Sequence, residues 1–388
     1  MIDVFYNGIL AAIVLIWVMS ARVKRLGCLI AALKRWGPAL TVFLWAVFIV
    51  FVSWYAFNFD HFEDIHDIDE AVDTAVESVN DGTNPYEEYV VPRFKTKYRV
   101  DVDWTLGPYN YMPLDLFTYV GAEAALGSLG SPYWFVVANM IFAGLAMYML
   151  RGMVRVSWLT FAPMAGIVML FYSMDNASLT LLFMTGSVYA LQRLKWHPEA
   201  VSLVIMGFAV LTKIYAAIPF LILLLFFLQS SASRKDWRRL SETVAAAGAS
   251  AALAVLVMLP FGVANVLDAA VFFHTSEEAR VGTSAGGTLL SEIAYDSPYF
   301  ALIGFALTAL AVLIGLRVRS LNDRVMMATV TFLLVAVKSS LAPLTVAGVF
   351  LALRMRERAD EKATSAATSS GAEATAPKDA SKAAPADN

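Results

Sequence analysis

Carboxylates are concentrated in one polar stretch of the chain, at about residues 58–113. Asp67 and Asp69 form an Asp-x-Asp pair there, and Asp60 and Asp64 lie upstream of the pair. A positioned carboxylate can take the proton from an attacking hydroxyl group, and paired carboxylates can bind a divalent cation. The stretch is therefore a candidate for general-base chemistry. An acidic surface in contact with solvent is the other interpretation.

Cationic candidates lie further along the chain, beside apolar segments. Lys213 stands between two such segments, and His274 and Arg280 belong to a polar stretch with several Gly, Ser and Thr residues at about 262–299. Charged side chains and exposed backbone N–H groups together suit a phosphate group. A lysine that extends its ammonium to the membrane surface, and an ordinary loop, are the alternatives.

These groups belong to a chain whose composition excludes a water-soluble enzyme. Hydrophobic residues make up 59% and charged residues 16% of the 388 residues, and the mean hydropathy is +0.63. Soluble domains contain about 25% charged residues. The net charge of −3 argues against a nucleic-acid partner. The single cysteine, Cys28, excludes an intrachain disulfide and a zinc site built from cysteines.

The apolar blocks predict an all-α polytopic membrane protein with about 10–11 transmembrane helices, because a bilayer core requires about 20 apolar residues per helix. Clusters of Lys and Arg recur at every second boundary, which predicts an outer N-terminus and a cytoplasmic C-terminus. The candidate spans lie at about 3–20, 38–57, 132–150, 157–173, 177–191, 199–212, 215–229, 243–262, 298–317, 325–337 and 340–353.

The chain is predicted to have three parts. Residues 1–37 hold an extra N-terminal helix and a basic cytoplasmic loop, and residues 38–356 form the transmembrane domain. Residues 357–388 lack aromatic side chains and form a disordered cytoplasmic tail.

The large first outer loop of the domain, residues 58–131, is predicted to contain two short helices. Apolar residues at spacings of three and four, from about Asp60 to Val79, predict an amphipathic helix at the membrane interface. Gly82 and Pro85 then interrupt the pattern. The segment from Asp115 to Gly130 is predicted as a juxtamembrane helix.

Three motifs of this loop resemble the GT-C superfamily of polytopic glycosyltransferases. They are most similar to its polyprenyl-phosphate-mannose-dependent branch, which includes the glycosylphosphatidylinositol mannosyltransferase I family and prokaryotic relatives. The motifs are Asp67-Ile68-Asp69, Gly82-Thr83-Asn84-Pro85-Tyr86 and Tyr109-Asn110-Tyr111-Met112-Pro113-Leu114. The chain departs from the family in its extra N-terminal helix and in a longer insertion before Tyr109, which holds a second Asp-x-Asp at residues 101–103.

The resemblance implies an inverting transfer of a hexose, mannose in this branch, from a polyprenyl (dolichyl) phosphate to a glycan or glycolipid acceptor on the non-cytoplasmic face. It implies that Asp67 or Asp69 is the general base, with the other orienting the acceptor or a metal. Asp60 and Asp64 are reserve acids. No cofactor is required, and a divalent cation at Asp67 and Asp69 is an option.

The same resemblance implies roles for the cations and for the tyrosine motifs. Lys213, Arg280 and His274 are expected to bind the donor phosphate. Acceptor or sugar binding is expected from Asn84, Tyr86, Tyr109 and Tyr111. For the tyrosines, packing of the loop against the helical bundle is the other interpretation.

A transporter or flippase of a lipid-linked or anionic solute is the main alternative function. It predicts polar residues deep within the spans, near the middle of the bilayer. A non-catalytic membrane subunit that docks through its acidic loop is the third hypothesis. The partners expected for the enzyme are the lipid-linked donor, the acceptor and the bilayer, which is a prokaryotic plasma membrane or the endoplasmic reticulum.

Overall fold

The computed structural model describes residues 11, 13–17, 37–57, 67–87, 109–154, 157–173, 175–272, 300–315, 317–318, 320–335, 347–348, 350–351, 353–354 and 357. These residues form helices and turns, and no β-strand occurs among them. The helices are α1 (Gly37–Phe57), α2 (Asp67–Asn80), α3 (Pro113–Leu126), α4 (Tyr133–Val154), α5 (Trp158–Tyr172), α6 (Ala177–Arg193), α7 (Pro198–Val210), α8 (Ala217–Ser233), α9 (Trp237–Met258), α10 (Val263–Leu267), α11 (Phe300–Gly315) and α12 (Leu321–Val335).

Four helical stretches are long and apolar enough to cross a membrane. They are Gly37–Trp54, Tyr133–Met153, Ile214–Ser233 and Trp237–Phe261. α5, α7 and part of α11 are apolar but shorter. The predicted all-α class is thus confirmed for the described residues, whereas 10–11 spans and their orientation remain predictions.

Basic residues gather at one end of the central helices. Arg193, at the end of α6, donates to the Gly152 carbonyl near the end of α4 at 2.5 Å. Arg239 lies 3.9 Å from Glu199, which joins the starts of α9 and α7. Because α6 and α7 run in succession, Lys213 after α7 and Asn176 before α6 lie at the opposite end. The basic groups and Lys213 thus lie at opposite ends of these helices, and the membrane orientation stays a prediction.

The predicted loop helices occur, but they pack on protein. The described part of the amphipathic segment is α2, whose buried face includes Val72, Ala75 and Val76 at 0–1% exposure. This face joins a core with Leu116 and Tyr119 of α3 and with residues from α4 and from the ends of α7 and α9. α3 is a 14-residue helix that begins at Pro113. At this length it is too short to cross a bilayer, which needs about 20 residues.

Small residues allow α7 to approach its neighbours closely. Ser202 of α7 lies 2.9 Å from Ser187 of α6 between their hydroxyl oxygens. On another side, a Cβ atom added at Gly207 would lie 2.6 Å from Ser250 Oγ and 2.8 Å from Ser250 Cβ on α9. Ser250 is held by a hydrogen bond to the Ala246 carbonyl. The α7 and α9 contact therefore depends on the absence of a side chain at Gly207.

Gly207→Ala should lower the thermal unfolding midpoint, although alanine is the better helix former by about 1 kcal/mol. The added methyl group meets Ser250, and overpacking typically costs about 1–3 kcal/mol. Gly248→Ala on α9 is the matched control, because nothing lies within 4 Å of its added Cβ. Tryptophan fluorescence in detergent can follow both transitions. Equal midpoints for the two variants would contradict the packing argument.

Candidate functional site

Lys213 stands where α7 has ended and the chain has turned. Its backbone is extended, and its N–H still bonds to the Ala209 carbonyl at 3.1 Å. The ammonium lies 3.2 Å from Asp175 Oδ1 and 4.9 Å from the centre of the Tyr111 ring. The Lys213 side chain is 11% exposed and that of Asp175 is 22% exposed. The ion pair is therefore shielded but open to solvent on one side.

Asp175 and Asn176 precede the first turn of α6. Asp175 Oδ1 accepts from the Ala177 N–H at 2.8 Å as well as from Lys213, so the carboxylate compensates the exposed donors at the start of the helix. Asn176 is fully buried and points toward α3. Asp175 thus has partly hydrated surroundings, whereas Asn176 has dry ones.

Two backbone hydrogen bonds fix the Tyr-x-Tyr-x-Pro-Leu segment to the end of α7. The Met112 N–H donates to the Thr212 carbonyl at 3.3 Å, and the Leu114 N–H donates to the Leu211 carbonyl at 3.1 Å. Tyr111 is consequently held beside Lys213. Two groups of residues that are about 100 positions apart, and that sequence analysis assigned to one site, are in contact.

The Gly-x-Asn-Pro-Tyr turn anchors the outer loop from the other side. Gly82 has a φ of +76°, which a residue with a side chain adopts only at a cost. Asn84 Nδ2 donates to the Phe261 carbonyl at 2.8 Å, and the buried Tyr86 donates its hydroxyl to the Tyr111 carbonyl at 2.9 Å. Asn84 and Tyr86 thus have the contacts of the packing interpretation, and sugar binding by them remains a prediction.

Asp115 is the central buried group of the site, and sequence analysis did not select it. It is 0% exposed in the first turn of α3. Its Oδ2 accepts from the Tyr109 hydroxyl at 2.7 Å and from Asn176 Nδ2 at 2.9 Å. The sequence offered one signal for this residue, which is a carboxylate directly after the Pro-Leu of the third motif at the start of a mainly apolar segment.

Burial determines the protonation of Asp115 and Tyr109. It raises the pKa of the Asp115 carboxyl to about 7, even though the hydrogen bonds from Tyr109 and Asn176 and the charge of Lys213 act in the opposite direction. Burial and the Asp115 charge also raise the pKa of the Tyr109 hydroxyl well above its usual value. Tyr109 therefore keeps its proton, and its hydroxyl donates a hydrogen bond to Asp115.

A second group of buried polar side chains lies next to Asp115. Asn139 Oδ1 of α4 accepts from the hydroxyls of Tyr119 and Ser178, each at 2.5 Å. Thr180 of α6 and Thr212 share a hydrogen bond of 2.7 Å. Tyr119 belongs to α3, and the other groups lie at the same ends of α4, α6 and α7 as Lys213. The polar network therefore reaches only about two turns into the bundle.

The remaining predicted site residues are only partly placed. Asp67 and Asp69 lie in the first turn of α2, and their side chains fall outside the described residues. Asp60, Asp64, His274 and Arg280 also lie outside them. In the described part of the chain, no group of three or more His, Cys, Asp or Glu side chains could hold a metal ion. A divalent cation at Asp67 and Asp69 remains a prediction.

A shallow cleft lies at the opposite, basic end of the helices. Its lining includes His197, Glu199, Arg239 and Glu242. These side chains pair with one another, with His197 Nδ1 2.8 Å from Glu242 Oε2. None of the residues selected from the sequence is among those that line this cleft.

The arrangement at Lys213 can bind an anion and place it beside an aromatic ring. A partly shielded ammonium attracts an anion more strongly than one in water. The Tyr111 ring offers an apolar face next to it. Asp175 supplies the counter-ion in the structure, and its partial exposure allows an anionic ligand to take its place.

The free energy of unfolding should fall as the pH rises from about 4 to about 7 because of Asp115. The carboxyl has an ordinary pKa of 3.8 and a folded-state pKa of about 7. Between these values the folded protein binds a proton that the unfolded chain has released, so stability present at low pH is lost as the pH rises through the folded-state pKa. Asp115→Asn should flatten this profile by a few kcal/mol. Parallel denaturation profiles for the two proteins would contradict the assignment.

Comparison of the chain with protein families, with curated proteins and with solved structures finds no match.

Proposed function

We propose that this protein is a membrane glycosyltransferase with a GT-C-like bundle and a large first outer loop. It moves a hexose, with mannose as the first candidate, from a polyprenyl phosphate to a glycan or glycolipid at the non-cytoplasmic face. The observation that carries the proposal is the contact between Lys213 and Tyr111, whose segment two backbone hydrogen bonds hold to the end of α7. The third loop motif thereby lies beside the lysine that resembles the donor-side lysine of that family.

The proposed role of Lys213 is to bind the donor phosphate. The ammonium exchanges Asp175 for a phosphate oxygen at the partly exposed side of the ion pair. A lipid-linked donor enters from the bilayer, so its phosphate arrives at the membrane surface where helix ends lie. His274 and Arg280 are proposed as further phosphate ligands.

The proposed reaction is a single displacement. The acceptor hydroxyl oxygen attacks the anomeric carbon, and the bond from that carbon to the phosphate oxygen breaks. The electron pair of the broken bond leaves with the phosphate, whose growing charge Lys213 stabilises. The hydroxyl proton goes to Asp67 or Asp69 as general base. The configuration at the anomeric carbon inverts.

The position of α2 supports a role for its first turn. Its buried face packs in the same core as Tyr86 and Tyr109, so the helix that carries Asp67 and Asp69 is tied to the motif beside Lys213. A carboxylate on a packed helix is better positioned for proton transfer than one on a free loop.

Transport of a lipid-linked or anionic solute is the alternative that the buried network around Asn139 favours. The network contains several fully buried polar side chains, as a substrate path would. It lies at one end of the helices, however, whereas transporters bind their substrates near the middle of the membrane. Uptake by proteoliposomes without any glycosylated product would favour transport over transfer.

Lys213→Met should reduce sugar transfer by about 10²–10³-fold, the usual cost of removing one electrostatic stabiliser of a leaving group. Lys213→Arg should retain part of the activity because it preserves the charge. Lys195→Met is the matched control, since Lys195 is exposed at the opposite end of the bundle. The measurement is product formation from a mannosyl phosphate on a short polyprenyl chain, with membrane glycolipids as acceptors. Full activity of folded Lys213→Met would refute the proposed donor site.

Of Asp67→Asn and Asp69→Asn, one should lower the turnover rate by about 10²–10⁴-fold, the usual contribution of a general base. Glu77→Gln provides the control, because Glu77 is an exposed carboxylate on the same helix. Transfer at the wild-type rate by both aspartate variants would show that the base lies elsewhere.

A further inference from the structure

Asp115 and Asn176 are joined by one hydrogen bond that leaves an oxygen of each side chain without a donor. Asn176 Nδ2 donates to Asp115 Oδ2 at 2.9 Å, whereas Asp115 Oδ1 and Asn176 Oδ1 are buried and have no hydrogen-bond partner. Both residues are 0% exposed. Two bare acceptors in a buried site are unfavourable, because neither recovers the hydrogen bonds that it loses to water.

Among the described residues, no cation is bonded directly to Asp115. The ammonium of Lys213 is bonded to Asp175, and the two donors to Asp115, from Tyr109 and Asn176, both reach Oδ2. An ionised Asp115 would therefore be a buried charge with no direct counter-ion and one bare oxygen, which is costly.

We propose that Asp115 is a neutral carboxylic acid whose Oδ1–H donates a hydrogen bond to Asn176 Oδ1. Together with the bond from Asn176 Nδ2 to Asp115 Oδ2, this proton completes a cyclic pair of two hydrogen bonds between an acid and an amide. One proton thus satisfies both bare oxygens. Asp115 then acts as a positioning residue that holds the start of α6 without adding a negative charge near Lys213.

The ionisable groups around Asp115 influence it in opposite directions. Burial is the largest influence and raises the pKa of Asp115, the charge of Lys213 lowers it, and the charge of Asp175 raises it further. Tyrosines on the outer loop, on α3 and just before α8 also interact with Asp115. Among the described residues, the ionisable groups that interact electrostatically with Asp115 are Tyr86, Tyr109, Tyr119, Asp175, Lys213 and Tyr215.

The consequence for ligand binding rests on the proposed function. A donor phosphate that replaces Asp175 binds Lys213, whose charge also acts on Asp115. The phosphate and an ionised Asp115 would then be two negative groups near one ammonium. A neutral Asp115 does not repel the phosphate, whereas an ionised Asp115 does. Binding of the phosphate is therefore linked to the proton on Asp115, and above the pKa its dissociation constant should rise by at most about tenfold per pH unit.

The proton itself can be observed by infrared spectroscopy of the unaltered protein labelled with ¹³C-aspartate. We expect the carbonyl band of a protonated aspartic acid between about pH 5 and about pH 7, a range in which ordinary aspartates with a pKa of about 4 are ionised. The band should be lost above that range and should be absent within it from Asp115→Asn. Asp175→Asn is the matched control and should retain the band. A wild-type spectrum without a protonated aspartate band on the acid side of neutrality would overturn the proposal. So would a band that persists in folded Asp115→Asn.

The linkage can be tested with farnesyl phosphate, titrated into the protein in nanodiscs on both sides of about pH 7. The ratio of the wild-type to the Asp115→Asn dissociation constant should rise with pH, and this ratio cancels the ionisation of the probe itself. A constant ratio would refute the linkage. If the infrared band and the rising ratio are both found but no sugar transfer occurs, the proposed function fails and this inference stands.

Discussion

The pair of backbone hydrogen bonds between the Tyr-x-Tyr-x-Pro-Leu segment and the end of α7 is the interaction on which the site depends. Met112 and Leu114 donate these bonds to the carbonyls of Thr212 and Leu211. A helix end leaves carbonyl groups without partners, and a buried carbonyl without a partner is costly. The outer loop supplies the missing donors. Tyr111 consequently lies beside Lys213 for a reason that is independent of any ligand.

Buried polar side chains are concentrated at this helix end. An apolar contact would hold the loop equally well, yet the chain places Asp115, Asn139 and Asn176 where water is excluded. Each is held by at least one hydrogen bond, and each has a side-chain atom without a partner, which for Asp115 and Asn176 holds until a proton on Asp115 joins the two residues. Stability alone does not account for such groups, because apolar residues of similar volume are often at least as stable. They are therefore the part of the fold that function best explains.

The sequence predicted the positions of the helices and selected Lys213 and Tyr111 for the site. It did not predict which contacts the site residues make. The hydrophobic blocks were sufficient for the helix positions, and a lysine between apolar segments was sufficient to select Lys213. The partner of Asn84 is a backbone carbonyl at Phe261, about 180 positions away, and no pattern of side chains encodes that contact. Asp115 was passed over because its importance comes from its burial and from its contacts with Tyr109 and Asn176, which depend on tertiary packing. The amphipathic helix was expected at the membrane interface, and its apolar face packs against protein.

The covered face of α2 has a practical consequence for how the protein can be handled. Because Val72, Ala75 and Val76 pack against protein, this contact should survive an exchange of lipids for detergent. α2 should thus keep its position against α3 after extraction from the membrane. Measurements of this contact on purified material should therefore apply to the membrane-bound protein.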